Sequence, residues 1–181
     1  MYADELKEAF NRNIIFGISA PDNFCSVNGT LLNSEALEKI KNEVFNKFGY
    51  LTPPVVVGKC FNIHYKMLNP ISRLFGLKAL LTFGYLEVGG QTIYKKSDKQ
   101  LEEMFKHGAI NTIGLHAWLT LPTYEIIDIT FMTTFAVVKQ QEHGIGGMIY
   151  GFADDLAKKM KYHPLFVGEN VLEHLNIEVN N

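Results

Sequence analysis

The segment Gly114-Leu115-His116-Ala117-Trp118-Leu119-Thr120-Leu121-Pro122-Thr123-Tyr124-Glu125-Ile126-Ile127-Asp128-Ile129-Thr130 reads as a β-hairpin. Two apolar runs, 113–121 and 125–131, flank Pro122, a residue that cannot donate to a ladder and so marks the turn. In an antiparallel pair, facing residues keep a constant sum of numbers and side chains alternate between faces. A three-residue loop, Leu121-Pro122-Thr123, pairs Thr120 with Tyr124 and sets His116 directly opposite Asp128. A five-residue loop sets Asp128 opposite Trp118, still on the His116 face. A two- or four-residue loop would put the histidine and the acid on opposite faces, so the hairpin register decides whether they can work together.

Upstream, Thr52-Pro53-Pro54-Val55-Val56-Val57-Gly58-Lys59-Cys60-Phe61 runs into an amphipathic helix. Cys60, Ile63, His64, Met67 and Leu68 share one of its faces. Pro70 is expected to interrupt this helix, because its ring lacks an N–H and clashes with the preceding turn. Asn69 would then cap a second short turn through Leu74, with Gly76 as its stop. The thiolate is the reactive form of cysteine, and a helix start favours an anion. Cys, His and an acid on a helix start and two strands is the layout of a cysteine-dependent acyl-transfer enzyme. Cys60 is the candidate nucleophile, His116 its base and then acid, and Asp128 the group that orients the imidazole. The Cys60 backbone N–H is a natural oxyanion donor. Asn62, Asn23 and Asn28 are polar residues available for a side-chain donor, and the sequence selects none of them.

The rest of the chain is coarser. Residues 4–12 predict a short helix and 34–48 a clearer one, capped by Asn33 or Ser34 and ended by Gly49. Residues 17–31 are rich in turn formers. Leu77 to Val88 predicts strand, interrupted at Gly84, and Gly89-Gly90 turns the chain into Gln91–Lys96. Ser97 and Gln100 form a capping-box signature before a helix at 98–107. Residues 135–138 extend the sheet in this reading, 148–160 are helical, and a short strand or loop precedes a small helix at 169–175. Helices first and antiparallel strands later argue for an α+β fold of one domain over 1–181, with a core at 50–138, an insert at 89–113 and a C-terminal helical extension at 145–181.

With 181 residues and a net charge of −2, the chain can bury a core of its own and has no electrostatic footprint for nucleic acid. Lys95-Lys96 and Lys158-Lys159 are short runs on solvated faces. No apolar run reaches membrane-spanning length, and the acidic start Met1–Glu8 does not read as a signal peptide. A cytoplasmic location is the default expectation, with Cys25 and Cys60 as free thiols. No membrane partner and no cofactor are expected.

At Gly58-Lys59-Cys60-Phe61, a strand ending in Gly84-Tyr85, His116-Ala117-Trp118-Leu119 and Ile127-Asp128-Ile129-Thr130, the chain resembles the transglutaminase-like superfamily over roughly residues 55–131. The resemblance implies a papain-like core, with the catalytic helix packed on an antiparallel sheet. It implies Cys60, His116 and Asp128 as catalytic residues and a peptide or protein substrate, with a peptide or a glutamine side chain as the family-typical target. Trp118 and Tyr85 are candidate cleft residues. The 89–113 insert departs from the family pattern and would act as a lid or a substrate-shaping element. The family spans hydrolysis, deamidation, transamidation and, in the related arylamine N-acetyltransferases, acetyl transfer.

Other readings compete. The same fold with a vestigial site would be a protein-binding module. Acetyl transfer from coenzyme A would call for a basic phosphate site, which is not visible. Cys60 and His64 lie one turn apart and with His116 could ligate zinc, although no Cys-x-x-Cys or His-Glu-x-x-His accompanies them. Gly144-Ile145-Gly146-Gly147 lacks the strand and the Lys-Ser or Lys-Thr of a phosphate loop.

Overall fold

The structure, a computed structural model, describes residues 1–22, 24–107 and 114–179. It is mixed α+β. In chain order it comprises α1 (Tyr2–Ile15), α2 (Ser34–Phe48), α3 (Pro53–Val56), α4 (Cys60–Phe75), β1 (Leu80–Val88), β2 (Gln91–Ile93), α5 (Asp98–His107), β3 (His116–Thr120), β4 (Glu125–Asp128), α6 (Phe131–Val138), β5 (Ile149–Phe152), α7 (Ala153–Leu156), β6 (Met160–Val167) and α8 (Asn170–His174). Among the described residues no helix is long and apolar enough to cross a membrane.

All strands pair antiparallel, in the order β2-β1-β3-β4-β5, with β6 also on β1. β6 pairs along 82–88 of β1, so β3 and β2 share the opposite edge in tandem, at 80–84 and 86–88. Alternation then separates two apolar layers. Leu81, Phe83, Ala117, Leu119 and Ile127 face α2 and α4, against Ile40, Val44, Ile63, Met67 and Ile71. Leu80, Leu86, Trp118, Ile126 and Tyr162 face α1 and α6, against Tyr2, Leu6 and Phe131.

Local signals explain several of these elements. The Asn33 side chain accepts the Ala36 N–H and starts α2 where expected, a cap worth about 1 kcal/mol. Ser97 and Gln100 exchange the reciprocal bonds of a capping box ahead of α5. Glu125, 1 % exposed, accepts from the backbone N–H groups of Leu31 and Leu32 and from Thr123 Oγ1. It thereby pins the irregular 17–31 region onto the hairpin.

Four expectations are corrected. Pro70 does not break its helix: α4 runs unbroken from Cys60 to Phe75 and stops at left-handed Gly76. Proline deprives one carbonyl of its helical partner, but Met67, Leu68 and Ile71 on the same turns are buried in the core, and that packing outweighs the lost bond. β1 likewise continues through Gly84, with a register shift there instead of an interruption. Residues 135–138 are helical, within α6, despite the β-branched pair Val137-Val138. Asp128 Oδ1 captures the N–H groups of Thr130 and Phe131 and turns the chain into that helix. Residues 148–160, expected as a helix, are instead β5, the single turn α7 and the start of β6. The C-terminal region therefore adds two strands to the sheet instead of a helical extension, because the free edges of β4 and β1 offer ladders to its apolar runs.

Candidate active site

His116 is the first residue of β3 and Asp128 the last of β4, so they lie at the same end of the hairpin. Leu119 pairs with Ile127 and Thr120 with Ile126. The five-residue alternative is thus the one adopted, and continuing its register sets Asp128 opposite Trp118, diagonal to His116. At that diagonal His116 Nε2 donates to Asp128 Oδ2 at 2.7 Å. His116 and Asp128 are 2 % and 0 % exposed.

Burial opposes charge on His116, but the Asp128 carboxylate and the negative end of Cys60 more than offset it, and the imidazole is pushed up to about 10. Burial likewise opposes charge on Asp128, and His116, His64 and the Thr130 N–H together hold the carboxyl well below the usual range. The pair is therefore imidazolium and carboxylate at neutral pH. Cys60 lies beside the same ring and favours its charged form. Because Asp128 occupies Nε2, Nδ1 is the nitrogen left for the thiol.

Cys60 is the first residue of α4, whose N-cap Lys59 makes no side-chain cap bond. The first N–H groups of a helix lack intrahelical acceptors, so the helix opens on Cys60 with donors to spare. Cys60 is half-buried and free, and Cys25 is exposed and free. Cys60 and His116 border one cavity of about 460 Å³, with Asn62, Tyr94, Thr134 and Ile177 among its other walls.

His64 ties these parts together. It is 0 % exposed, its Nδ1 donates to the Cys60 carbonyl at 2.7 Å, and its Nε2 accepts the Ile129 N–H at 2.9 Å. That acceptor role fixes the tautomer, with the proton on Nδ1. Burial, countered in part by Asp128 and reinforced by His116, pushes His64 down to about 4. With both nitrogens occupied, His64 has no lone pair for zinc, and among the described residues no metal-binding cluster forms. The sequence put His64 on the face of Cys60 but gave no sign of its bond to Ile129.

The two proposed cleft residues fall elsewhere. Trp118 shares the His116 face but is wholly buried, and its Nε1 donates to the Tyr2 hydroxyl at 2.9 Å. Tyr85 stacks on His163, with centroids 4.4 Å apart and planes at 8°, under Lys95 Nζ. Neither borders the cavity. Of the three asparagines, Asn62 does border it, Asn28 is exposed outside it, and Asn23 lies outside the described residues. The first part of the 89–113 insert supplies Tyr94, which stacks on the His116 ring, and residues 108–113 lie outside the described residues. Sequence reasoning missed Tyr94 because it lies in no motif and follows a three-residue strand.

Compared with protein-family models, with curated proteins and with solved structures, the chain matches none.

Proposed function

We propose that this protein is a cysteine-dependent acyl-transfer enzyme with a papain-like, transglutaminase-like core. One observation carries the reading: Cys60 at an uncapped helix start shares a cavity with a buried His116 that is hydrogen-bonded to Asp128 at 2.7 Å. A buried imidazolium would be unfavourable without that carboxylate. Beside it, a cysteine gains a positive neighbour and a helix N-terminus, the two environments that favour thiolate.

In the reaction, Cys60 Sγ adds to an amide or thioester carbonyl carbon, and a C–S bond forms as the carbonyl π pair moves to oxygen. When the tetrahedral adduct collapses, His116 gives its Nδ1 proton to the departing amine or thiol. A water or an amine then attacks the thioacyl-enzyme. His116 takes the attacker's proton and keeps it while the C–S bond breaks and Cys60 leaves as thiolate, so the thiolate–imidazolium pair re-forms. Asp128 holds the ring in place and stabilises its charge throughout. Hydrolysis and deamidation share water as the acyl acceptor and differ in the amide cleaved, whereas transamidation uses an amine.

The test is the pH dependence of iodoacetamide alkylation, followed at the Cys60 peptide by mass spectrometry, in the wild type and in His116→Ala. Fast labelling well below pH 8, lost in the variant, is the expected result. An ordinary thiol profile in both proteins would overturn the enzymatic reading and favour a binding module on the same fold.

A further inference from the structure

Tyr94 leads out of β2 with a left-handed backbone, φ 68°. A bulky residue is sterically disfavoured there and stays only where its surroundings over-determine it, a situation concentrated at functional sites. What fixes Tyr94 is the site itself: its ring stacks on His116, with centroids 5.5 Å apart and planes at 14°. It also borders the cavity that holds Cys60. Two buried tyrosines at the sheet spend their hydroxyls on structure. Tyr2 binds Thr120 and Trp118, and Tyr162 binds Asp128. The Tyr94 hydroxyl has no hydrogen-bond partner among the described residues. Burial and the nearby charges of Cys60 and Asp128 push the phenol up to about 12, so it keeps its proton at neutral pH.

The acyl-transfer reading leaves one chemical need open. An oxyanion formed at a carbonyl is best held by preorganised donors from more than one direction. The start of α4 offers the Cys60 N–H. Asn62 stands on the same helix, and its Oδ1 is turned into the protein, buried and without a partner. Tyr94 comes from a different element, carries an uncommitted O–H donor, and is held rigidly by the imidazole itself.

We propose that Tyr94 is the side-chain oxyanion donor of this site, its phenol O–H hydrogen-bonding the acyl oxygen as Cys60 Sγ adds to the carbonyl carbon. The inference rests on the acyl-transfer function. Tyr94 keeps its proton throughout: the charge appears on the acyl oxygen when the C–S bond forms and disappears when the leaving group departs. The same ring shields one face of His116, so a single residue both positions the acid and stabilises the adduct.

Two probes separate these contributions. Acylation of Cys60 by p-nitrophenyl acetate passes through a tetrahedral oxyanion, whereas alkylation by iodoacetamide is a direct displacement at carbon and forms none. Both second-order rate constants would be measured at pH 7 on the full chain in a Cys25→Ser background, which removes the exposed competing thiol. Tyr94→Phe keeps the stacked ring and deletes only the hydroxyl. The expected result is a fall in the acylation-to-alkylation ratio on the order of 10²-fold, the usual cost of one oxyanion donor. An unchanged ratio, whether both rates hold or both fall together, would overturn the proposal. Failure of the underlying function would be seen separately, as an ordinary thiol profile for alkylation of the parent protein before Tyr94 is altered.

Discussion

The hydroxyl of Tyr162 donates to Asp128 Oδ2 at 3.0 Å, onto the same oxygen that receives His116 Nε2–H. The other carboxylate oxygen accepts from the Thr130 and Phe131 N–H groups and from Thr130 Oγ1. Asp128 therefore does two jobs with two oxygens. Oδ2 fixes the imidazole, and Oδ1 starts α6. A carboxylate so fully supplied with donors is stable as an anion even when wholly buried, and that anion is what keeps His116 charged.

Replacing Asp128 by asparagine should uncouple the two jobs. The amide oxygen can still accept at the start of α6, but no negative charge remains beside His116. Burial then dominates, and the imidazole becomes neutral near pH 7. At pH 6, iodoacetamide labelling of Cys60 should fall by about tenfold or more, since about one pKa unit of lost charge stabilisation is already a factor of ten. The pH profile should move up toward that of an ordinary thiol. A profile superimposable on the wild type would show that Asp128 does not hold the charge on His116.

Gly84 sits opposite His116 on β3 and opposite Pro164 on β6, at the register shift between Phe83 and Gly84. A Cβ at this position would collide with the His163 carbonyl and come within 2.9 Å of the Trp118 ring. The carbonyl is backbone and cannot swing aside, so Gly84→Ala must push β6 off β1 or distort the bulge. Overpacking of this kind costs about 1–3 kcal/mol. Urea unfolding should show a lower midpoint with an unchanged slope, and the His116 environment should shift with Trp118. Stability equal to the wild type would mean that β6 does not approach β1 as closely as described.

Much of the site was legible because it depends on local rules. The hairpin arithmetic for His116 and Asp128 needed only strand alternation and a loop of odd length, and β3 and β4 obey one of the two registers that keep them on one face. The helix face carrying Cys60 and His64 followed from 3.6-residue periodicity. What escaped was whatever tertiary context decides. Pro70 looked like a helix break because proline removes a bond, yet the burial of Met67 and Ile71 holds α4 together. Val137-Val138 looked like strand until Asp128, ten residues before, bound the N–H groups that start α6. The 148–160 segment became strand because two sheet edges were open to it, and a single sequence does not reveal open edges. Tyr94 was invisible for the same reason: its stacking partner lies 22 positions away.

His64 titrates in a window of its own, which makes its positioning role measurable. Burial pushes its folded-state pKa down to about 4 from the ordinary histidine value of about 6.5. A group with a depressed folded pKa stabilises the protein fully above its unfolded pKa, and that contribution is lost as pH falls through the folded value. Across pH 6.5 to 4 the loss amounts to about 3 kcal/mol at about 1.4 kcal/mol per unit. His116 does not contribute to this slope: its folded pKa is raised, so its stabilisation is complete below about 6.5 and is lost only as pH rises toward 10. Asp128, depressed, starts to lose its share only below the ordinary carboxylate range, near pH 4. His64→Gln keeps an amide group near the Nε2 position, able to accept the Ile129 N–H, and does not titrate. The variant should be less stable than wild type at pH 7 by about 1–2 kcal/mol for the lost bond to the Cys60 carbonyl. It should then be nearly flat between pH 6.5 and 4, where wild type declines, so the two urea-midpoint curves converge or cross. Parallel curves would mean that the acid sensitivity lies elsewhere and that His64 does not hold the Cys60 helix to the Asp128 strand as a neutral imidazole.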